Sequence, residues 1–239
     1  RRNLAPLRAH ASRCFMSLSV QEAREIELLQ GQSSHDQLLP EEFAQLLRGA
    51  IEGSQASEGN DTLAQIRATM PSLRADFEAH DLNAAAAKEE LVTRVLEIRS
   101  KLTPQEMQAC RDPQAGRLAK VIIARNIGDG IYQAYMESAG ASIAFARQLK
   151  SQQGMCLRWC YMLAHNALSW AVDGGIEPAR EKTILNDTLD QDYVIIGSFF
   201  SGVISLEAAV TDALTDLRAM LLLPPLPVEY RALTPSAQD

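Results

Sequence analysis

Two acidic side chains stand where the sequence predicts a change of secondary structure. Asp190 lies at a polar break just before an apolar segment, and Glu207 directly follows a short β-prone segment, residues 203–205. In open α/β sheets, binding sites form at the edge where the strands end. Two carboxylates that meet at such an edge supply the oxygen ligands that a divalent cation prefers. Glu22, at the start of the helix that follows the first predicted strand, is a third candidate for the same site.

Each of these acids also has a purely structural explanation. Ser19 and Glu22 have the spacing of a capping box, in which two side chains satisfy the first amides of a helix. Asp190 fits an exposed helix position, and Glu207 fits a helix N-terminus, where the helix dipole favours negative charge. The residues by themselves leave a metal-binding role and a structural role open at each position.

The elements that must position these acids are three strands and a long helical region. Residues 14–18, 203–205 and 219–223 are predicted strands of one parallel sheet. The first strand leads into a helix that Gly31 ends. Between residues 40 and 193 the apolar residues recur at helical spacing. Helices that alternate with strands are typical of a parallel α/β sheet.

Single residues predict the details of the helical region. Thr103 and Glu106 flank a proline and have the spacing of a second capping box, which predicts a helix start. Gly128 and Gly130 lie within the apolar pattern of residues 118–138 and are expected to loosen that helix.

The composition disfavours two classes of protein, basic nucleic-acid binders and membrane-spanning proteins. The chain has 239 residues, 46% of them hydrophobic, and a formal net charge of -7. This charge disfavours a nucleic-acid binder that relies on a strong positive field, but not an enzyme that contacts a phosphodiester through metal ions. No apolar run reaches the roughly 18 residues of a membrane span, so no membrane partner is expected.

The cysteines indicate a reducing compartment. Cys156 and Cys160 lie four residues apart on one face of a predicted helix, too few ligands for a zinc site. We expect buried, reduced thiols and therefore a cytoplasmic protein. Trp159, Leu163 and Trp170 of the same helix are predicted core residues.

Two separated segments resemble the PIN-like nucleases. Residues 186–194 read N-D-T-L-D-Q-D-Y-V and residues 202–207 read G-V-I-S-L-E, which together are similar to the C-terminal signature of that family. Residues 16–22 resemble the family's second strand and the acid on its following helix, and residues 219–223 resemble its last strand.

The resemblance implies a metal-dependent ribonuclease. Glu22, Asp190 and Glu207 match the family's acidic metal ligands, with Asp187 as a near neighbour. In the family these carboxylates hold Mg²⁺ or Mn²⁺, which activates water and stabilises the charge that develops on the phosphate. The resemblance also implies an RNA substrate and a role as a toxin or defence effector. The family's first Asp has no counterpart, so we expect it to lie before Arg1.

The sequence therefore predicts a predominantly helical α/β protein with a small parallel sheet of PIN-like type and a large helical insertion. Residues 1–31 and 178–226 form the predicted core, residues 32–177 the insertion, which is also a candidate surface for a protein partner, and residues 227–239 an extended tail. The alternative is an all-α protein that acts as a non-enzymatic helical protein-interaction module. A third hypothesis is a helical bundle that binds a small apolar ligand around Trp159 and Trp170.

Overall fold

A computed structural model describes residues 20–32, 84–174, 176, 179–199 and 207–225. Within these ranges the regular secondary structure consists of eight helices and no strand. In chain order the helices are α1 (Val20–Gln30), α2 (Ala84–Lys101), α3 (Pro104–Cys110), α4 (Gly116–Ser138), α5 (Ile143–Ser151), α6 (Met155–Asp173), α7 (Glu181–Gly197) and α8 (Ala208–Met220).

The prediction of a PIN-like parallel sheet is wrong for the described part of the chain. The predicted strand at residues 219–223 is the last turn of α8 and the turn after it. Leu222 adopts a left-handed conformation with φ 57°, and the Leu223 amide donates to the Arg218 carbonyl over 2.9 Å. This is a helix C-cap, after which Pro224 prevents further helix. The predicted strands at residues 14–18 and 203–205 lie outside the described residues. The all-α alternative agrees with this architecture.

The chain divides into two compact units. The described residues all belong to the unit formed by Ser19–His35 and Asn83–Asp239. The unit formed by Arg1–Leu18 and Asp36–Leu82 lies outside the described residues. The predicted domain boundaries stay predictions.

Helix α6 is the centre of the described unit. Helices α1, α2, α4, α7 and α8 all pack against it, with the most extensive contact made by α4. Close approach of α4 depends on Gly128, because a Cβ atom there would lie 2.6 Å from Cδ1 of Tyr161. Both predicted core thiols of α6, Cys156 and Cys160, are free and buried, and burial raises the pKa of Cys160 to about 12.

The N-terminus of α6 is held by a buried carboxylate from α1. Glu27 is fully buried and accepts hydrogen bonds from the backbone amides of Met155 at 2.6 Å and Cys156 at 2.9 Å. Gly154 makes room for this contact, because a Cβ atom on it would lie 2.4 Å from Oε1 of Glu27. Glu27 thus satisfies two first-turn amides that the helix cannot satisfy itself, and it fixes α1 onto α6.

A buried arginine ties the same end of α6 to α7. Arg158 donates to the Ser198 hydroxyl and to the Gln153 carbonyl, both at 2.7 Å, and stacks on Phe199. Burial lowers the pKa of Arg158 to about 10, against the attraction of Glu27.

The helix starts and helical spacings predicted from single residues are confirmed where they are described. Thr103 accepts from the Glu106 amide at 3.2 Å, and Glu106 accepts from the Thr103 amide at 2.8 Å, so α3 begins with the predicted capping box. Leu91, Val95 and Ile98 form the buried face of α2. Helix α4 is continuous through both of its inner glycines, contrary to the expected loosening.

None of the helices in the described ranges combines the length and the apolar character needed to cross a membrane.

Candidate functional site

Three of the four predicted site acids lie within electrostatic range, since two of them act on the third. Asp187 and Asp190 are half-buried on α7, and Glu207 is the exposed residue that precedes α8. Burial raises the pKa of Asp187, and the negative charges of Asp190 and Glu207 raise it further. The nearby indole of Trp170 acts in the opposite direction and lowers the pKa of Asp187. The structure therefore places the three carboxylates in one electrostatic neighbourhood.

Glu22, the fourth predicted ligand, lies on α1, and its side chain is outside the described residues. Among the residues that are described, no group of three or more His, Cys, Asp or Glu side chains has a geometry that would hold a metal ion. The roles of Glu22, Asp187, Asp190 and Glu207 as metal ligands stay predictions.

A cavity of about 170 Å³ opens between α6, α7 and α8 beside these carboxylates. We call it the polar cleft, because hydrogen-bonding side chains form much of its wall. Its lining residues are Met162, His165, Asn166, Ser169, Asp187, Asp190, Gln191, Val194, Ala209, Val210 and Ala213.

A network of hydrogen bonds lies beside the cleft and includes His165 and Ser169 of its wall. Nε2 of His165 lies 3.0 Å from Oδ2 of Asp216, and Nε of Arg117 donates to Oδ1 of the same carboxylate at 2.7 Å. Arg117 also donates to Oδ1 of Asp212 at 2.8 Å. The Ser169 hydroxyl donates to the His165 carbonyl at 2.9 Å and is therefore not directed at the imidazole as a nucleophile would be. These contacts join α4, α6 and α8.

Sequence reasoning missed the pairing of His165 with Asp216. The two residues are 51 positions apart in the chain, and a histidine with no acidic neighbour nearby in sequence has no local signal of a partner. The local signal that did exist was the spacing of Asp212 and Asp216, which lie one turn apart on α8 and both bind Arg117.

A second concave surface, of about 660 Å³, lies between α2 and α4. We call it the apolar groove. Both of these helices pack on α6, whereas contact between α2 and α4 themselves is sparse, so α6 is left open between them. The groove is lined by Arg94, Glu97, Ile98 and Lys101 of α2, by Asn126, Ile127, Gly130, Ile131, Ala134, Tyr135 and Ser138 of α4, and by Trp159 and Leu163 of α6.

The floor of the apolar groove corrects a core prediction. Trp159 and Leu163 are only half-buried, and so is Trp170 of the same helix, although all three are predicted core residues. Trp159 packs against Tyr135, with their ring centroids 5.3 Å apart and their planes tilted by 56°. Large apolar and aromatic side chains that remain accessible in a groove are typical of binding surfaces.

The side chain of Arg24 stacks on the aromatic pair at the groove. The guanidinium carbon of Arg24 lies 3.7 Å from the centroid of the Trp159 ring and 5.6 Å from that of Tyr135. Nε and Nη1 of Arg24 are buried and make no hydrogen bond in the structure as described. Asp192 lies near enough for Arg24 to lower its pKa, but burial has the larger effect and raises that pKa to about 6.

Comparisons of the chain with protein-family models, with curated proteins and with solved structures find no match. The polar cleft and the apolar groove are therefore the candidate sites in the described part of the chain.

Proposed function

We propose that this chain is a helical protein-interaction module without enzymatic activity, and that a helix of a partner protein binds in the apolar groove. One observation carries the proposal: α2 and α4 stand apart on α6, and the aromatic and aliphatic side chains between them remain accessible. An amphipathic helix that lays its apolar face into such a groove is a recurring mode of protein recognition.

The residues at the centre of the groove are of the types that contribute most to the free energy of binding. Tryptophan and tyrosine are enriched among the residues that dominate binding energy, and both occur here, as Trp159 and Tyr135. Burial of apolar surface contributes about 25 cal/mol per Å², so covering this floor is favourable without any specific polar contact.

The partner and the compartment belong to the same proposal. The partner is a protein that exposes a helix. The cytoplasm is the proposed location, because Cys110, Cys156 and Cys160 are free thiols, as a reducing compartment would keep them.

The two tryptophans allow a direct test. The chain contains two of them, Trp159 in the apolar groove and Trp170 beside Asp187. Trp170→Phe leaves a single tryptophan in the groove, and Trp159→Phe leaves a single one beside the polar cleft. A displayed library of amphipathic helical peptides is selected on the wild-type protein, and the selected peptides are then titrated into each variant.

We expect selected helices to shift the emission of Trp159 in the Trp170→Phe protein and to leave the emission of Trp170 in the Trp159→Phe protein unchanged. A library that yields no helix able to shift Trp159 emission would remove the proposal.

The metal-dependent ribonuclease is a second proposal, and one observation favours it. Asp187, Asp190 and Glu207 lie close enough for the charges of the last two to raise the pKa of Asp187, and neighbouring carboxylates of this kind often mark functional sites. Under this proposal Mg²⁺ or Mn²⁺ is the cofactor, RNA is the substrate and the protein acts as a toxin or defence effector.

This second proposal predicts metal-dependent stability. A bound ion stabilises the folded state by RT ln(1 + [L]/Kd), so excess Mn²⁺ should raise the Tm of the wild type. The Asp190→Asn/Glu207→Gln double variant should show no rise and no cleavage of single-stranded RNA. Equal Tm values with and without Mn²⁺ in both proteins would leave these acids as surface charges.

A further inference from the structure

Two glycines of α4 have opposite surroundings. A Cβ atom at Gly128 would lie 2.6 Å from Cδ1 and 3.1 Å from Cα of Tyr161, so close packing of α4 on α6 explains that glycine. A Cβ atom at Gly130 would meet no heavy atom within 4 Å among the described residues, apart from the backbone of its own helix. Glycine in a helix interior is destabilising relative to alanine, and at Gly130 the packing of the described residues supplies no compensating reason.

Gly130 belongs to the wall of the apolar groove. Gly130, Ala134 and Ser138 follow one another at intervals of four residues, lie on one face of α4 and all line the groove. Small side chains along this wall leave space for a second helix to approach α4 closely, since the interaxial distance of packed helices depends on the side chains at the contact.

The opposite wall of the groove is charged. Helix α2 contributes Arg94, Glu97 and Lys101, two cations and one anion, on a chain whose formal net charge is -7. Arg94 binds Glu90 at 2.6 Å and Lys101 binds Glu97, both as exposed pairs one turn apart. Ion pairs at the surface of one helix are weak, so an acidic group in the groove competes with Glu90 and Glu97 for these two cations. Arg24, stacked on Trp159, adds a third cation nearby.

The dimensions of the groove limit its occupant. The lining residues of α4 run from Asn126 to Ser138, which at 1.5 Å per residue spans about 18 Å. This length accommodates about three turns of a helix laid along the groove.

We propose that the occupant of the apolar groove is an amphipathic helix of another protein, about three turns long, that packs closely on the small-residue face of α4 and carries acidic residues beside Arg94 and Lys101. Its apolar side chains lie on Trp159 and Leu163. This inference rests on the proposed function, and it names the kind of partner.

The test uses two defined peptides of about 14 residues. In both peptides Leu occupies every third or fourth position and forms the apolar face. The other positions are divided between Ala and one charged residue, which is Glu in the first peptide and Lys in the second. Each is titrated into the 239-residue Trp170→Phe protein, whose only tryptophan lies in the groove. We expect the Glu peptide to shift Trp159 emission with a Kd at least about fivefold lower than that of the Lys peptide, and we expect the difference to shrink as salt is added.

Gly130→Leu tests the site itself. The new side chain enters the open space of the groove wall and replaces a helix-destabilising residue, so the Tm should rise by a few degrees while the Kd of the Glu peptide rises at least about tenfold. A variant that simply misfolded would show a lower Tm. Gln133→Leu is the matched control, since Gln133 is exposed on the same helix but does not line the groove; it should bind as the parent does.

Several outcomes would overturn this inference. Equal affinity for both peptides, preference for the Lys peptide, or unchanged binding by Gly130→Leu would remove it while helices selected from the library still support the proposed function. The inference would also be removed, and the proposed function still supported, if neither peptide bound while helices were selected from the library. If the wild type alone forms a dimer that Gly130→Leu abolishes, the occupant is a second copy of this chain and not another protein.

Discussion

The polar cleft and the apolar groove share helix α6 but differ in how far their side chains are already bound by other residues of the described chain. Around the cleft, Asp216 is already bound by His165 and Arg117, and the Ser169 hydroxyl donates to the His165 carbonyl. In the groove, Trp159 and Leu163 are only partly buried, and each keeps apolar surface that the described residues do not cover completely.

Because of this difference, a ligand gains a different amount of free energy from binding to each surface. A satisfied polar group must give up an existing hydrogen bond to bind something new, so its net gain is small. Exposed apolar surface gains from any cover that excludes water. A cluster of polar residues was the more conspicuous feature of the sequence, yet the groove is the better candidate for binding.

Breaking the shared support should affect both surfaces together and give the largest change. Glu27→Ala removes the carboxylate that accepts from the Met155 and Cys156 amides and leaves both donors buried at the start of α6. We expect a loss of about 3 kcal/mol in the free energy of unfolding, measured by urea denaturation. Glu27→Gln keeps an acceptor and should lose less; equal losses would show that the acceptor atoms are not what matters.

Replacing Gly128 and Gly130 by alanine should change the free energy of unfolding in opposite directions. Gly128→Ala places a Cβ atom against Tyr161 and should destabilise by about 2 kcal/mol. Gly130→Ala meets open space and should stabilise by about 0.5–1 kcal/mol. Thermal melts of the two variants side by side provide the measurement, and a stabilising Gly128→Ala would contradict the close packing of α4 on α6.

The polar cleft should contribute to stability independently of the groove. Asp216→Ala removes the carboxylate shared by His165 and Arg117, and we expect a loss of about 1–2 kcal/mol in the free energy of unfolding, because Arg117 is half-exposed and stays hydrated. In the Trp170→Phe background the emission of Trp159 should not change. A shift in that emission would mean that the two surfaces are coupled through α6.

The carboxyl group near Arg24 should make stability depend on pH. Because the pKa of Asp192 is raised from 3.8 to about 6 in the folded protein, the folded state holds this proton more tightly than the unfolded state. The contribution of Asp192 to stability therefore falls as the pH rises from about 4 to about 6 and stays low above that.

Asp192→Asn removes this titration. Relative to the wild type, the variant should gain about 1 kcal/mol between pH 4 and pH 7, a figure reduced for partial solvent screening. Denaturation at the two pH values measures this gain. A constant difference between variant and wild type at both values would show that Asp192 does not titrate in this range.

The helices and their ends were predictable from the sequence because their determinants are local. The capping box of Thr103 and Glu106 and the apolar spacing of Leu91, Val95 and Ile98 each involve residues within two helical turns. The strand prediction at residues 219–223 failed at the same local scale. A short apolar run does not distinguish a strand from a buried helix end, and here it continues the buried face of α8, formed by Val210, Leu214 and Leu217.

The two concave surfaces were decided only by the tertiary structure. The sequence determined that Trp159 and Leu163 lie one turn apart on one face of an apolar helix, but it did not determine whether neighbouring helices would cover them. It likewise placed His165 and Asp216 on separate helices without indicating that they meet. Helical periodicity records contacts between residues three or four positions apart. A groove or a hydrogen bond between distant helices depends instead on which helix faces pack together across long stretches of chain; here α2 and α4 each pack on α6, and His165 of α6 meets Asp216 of α8.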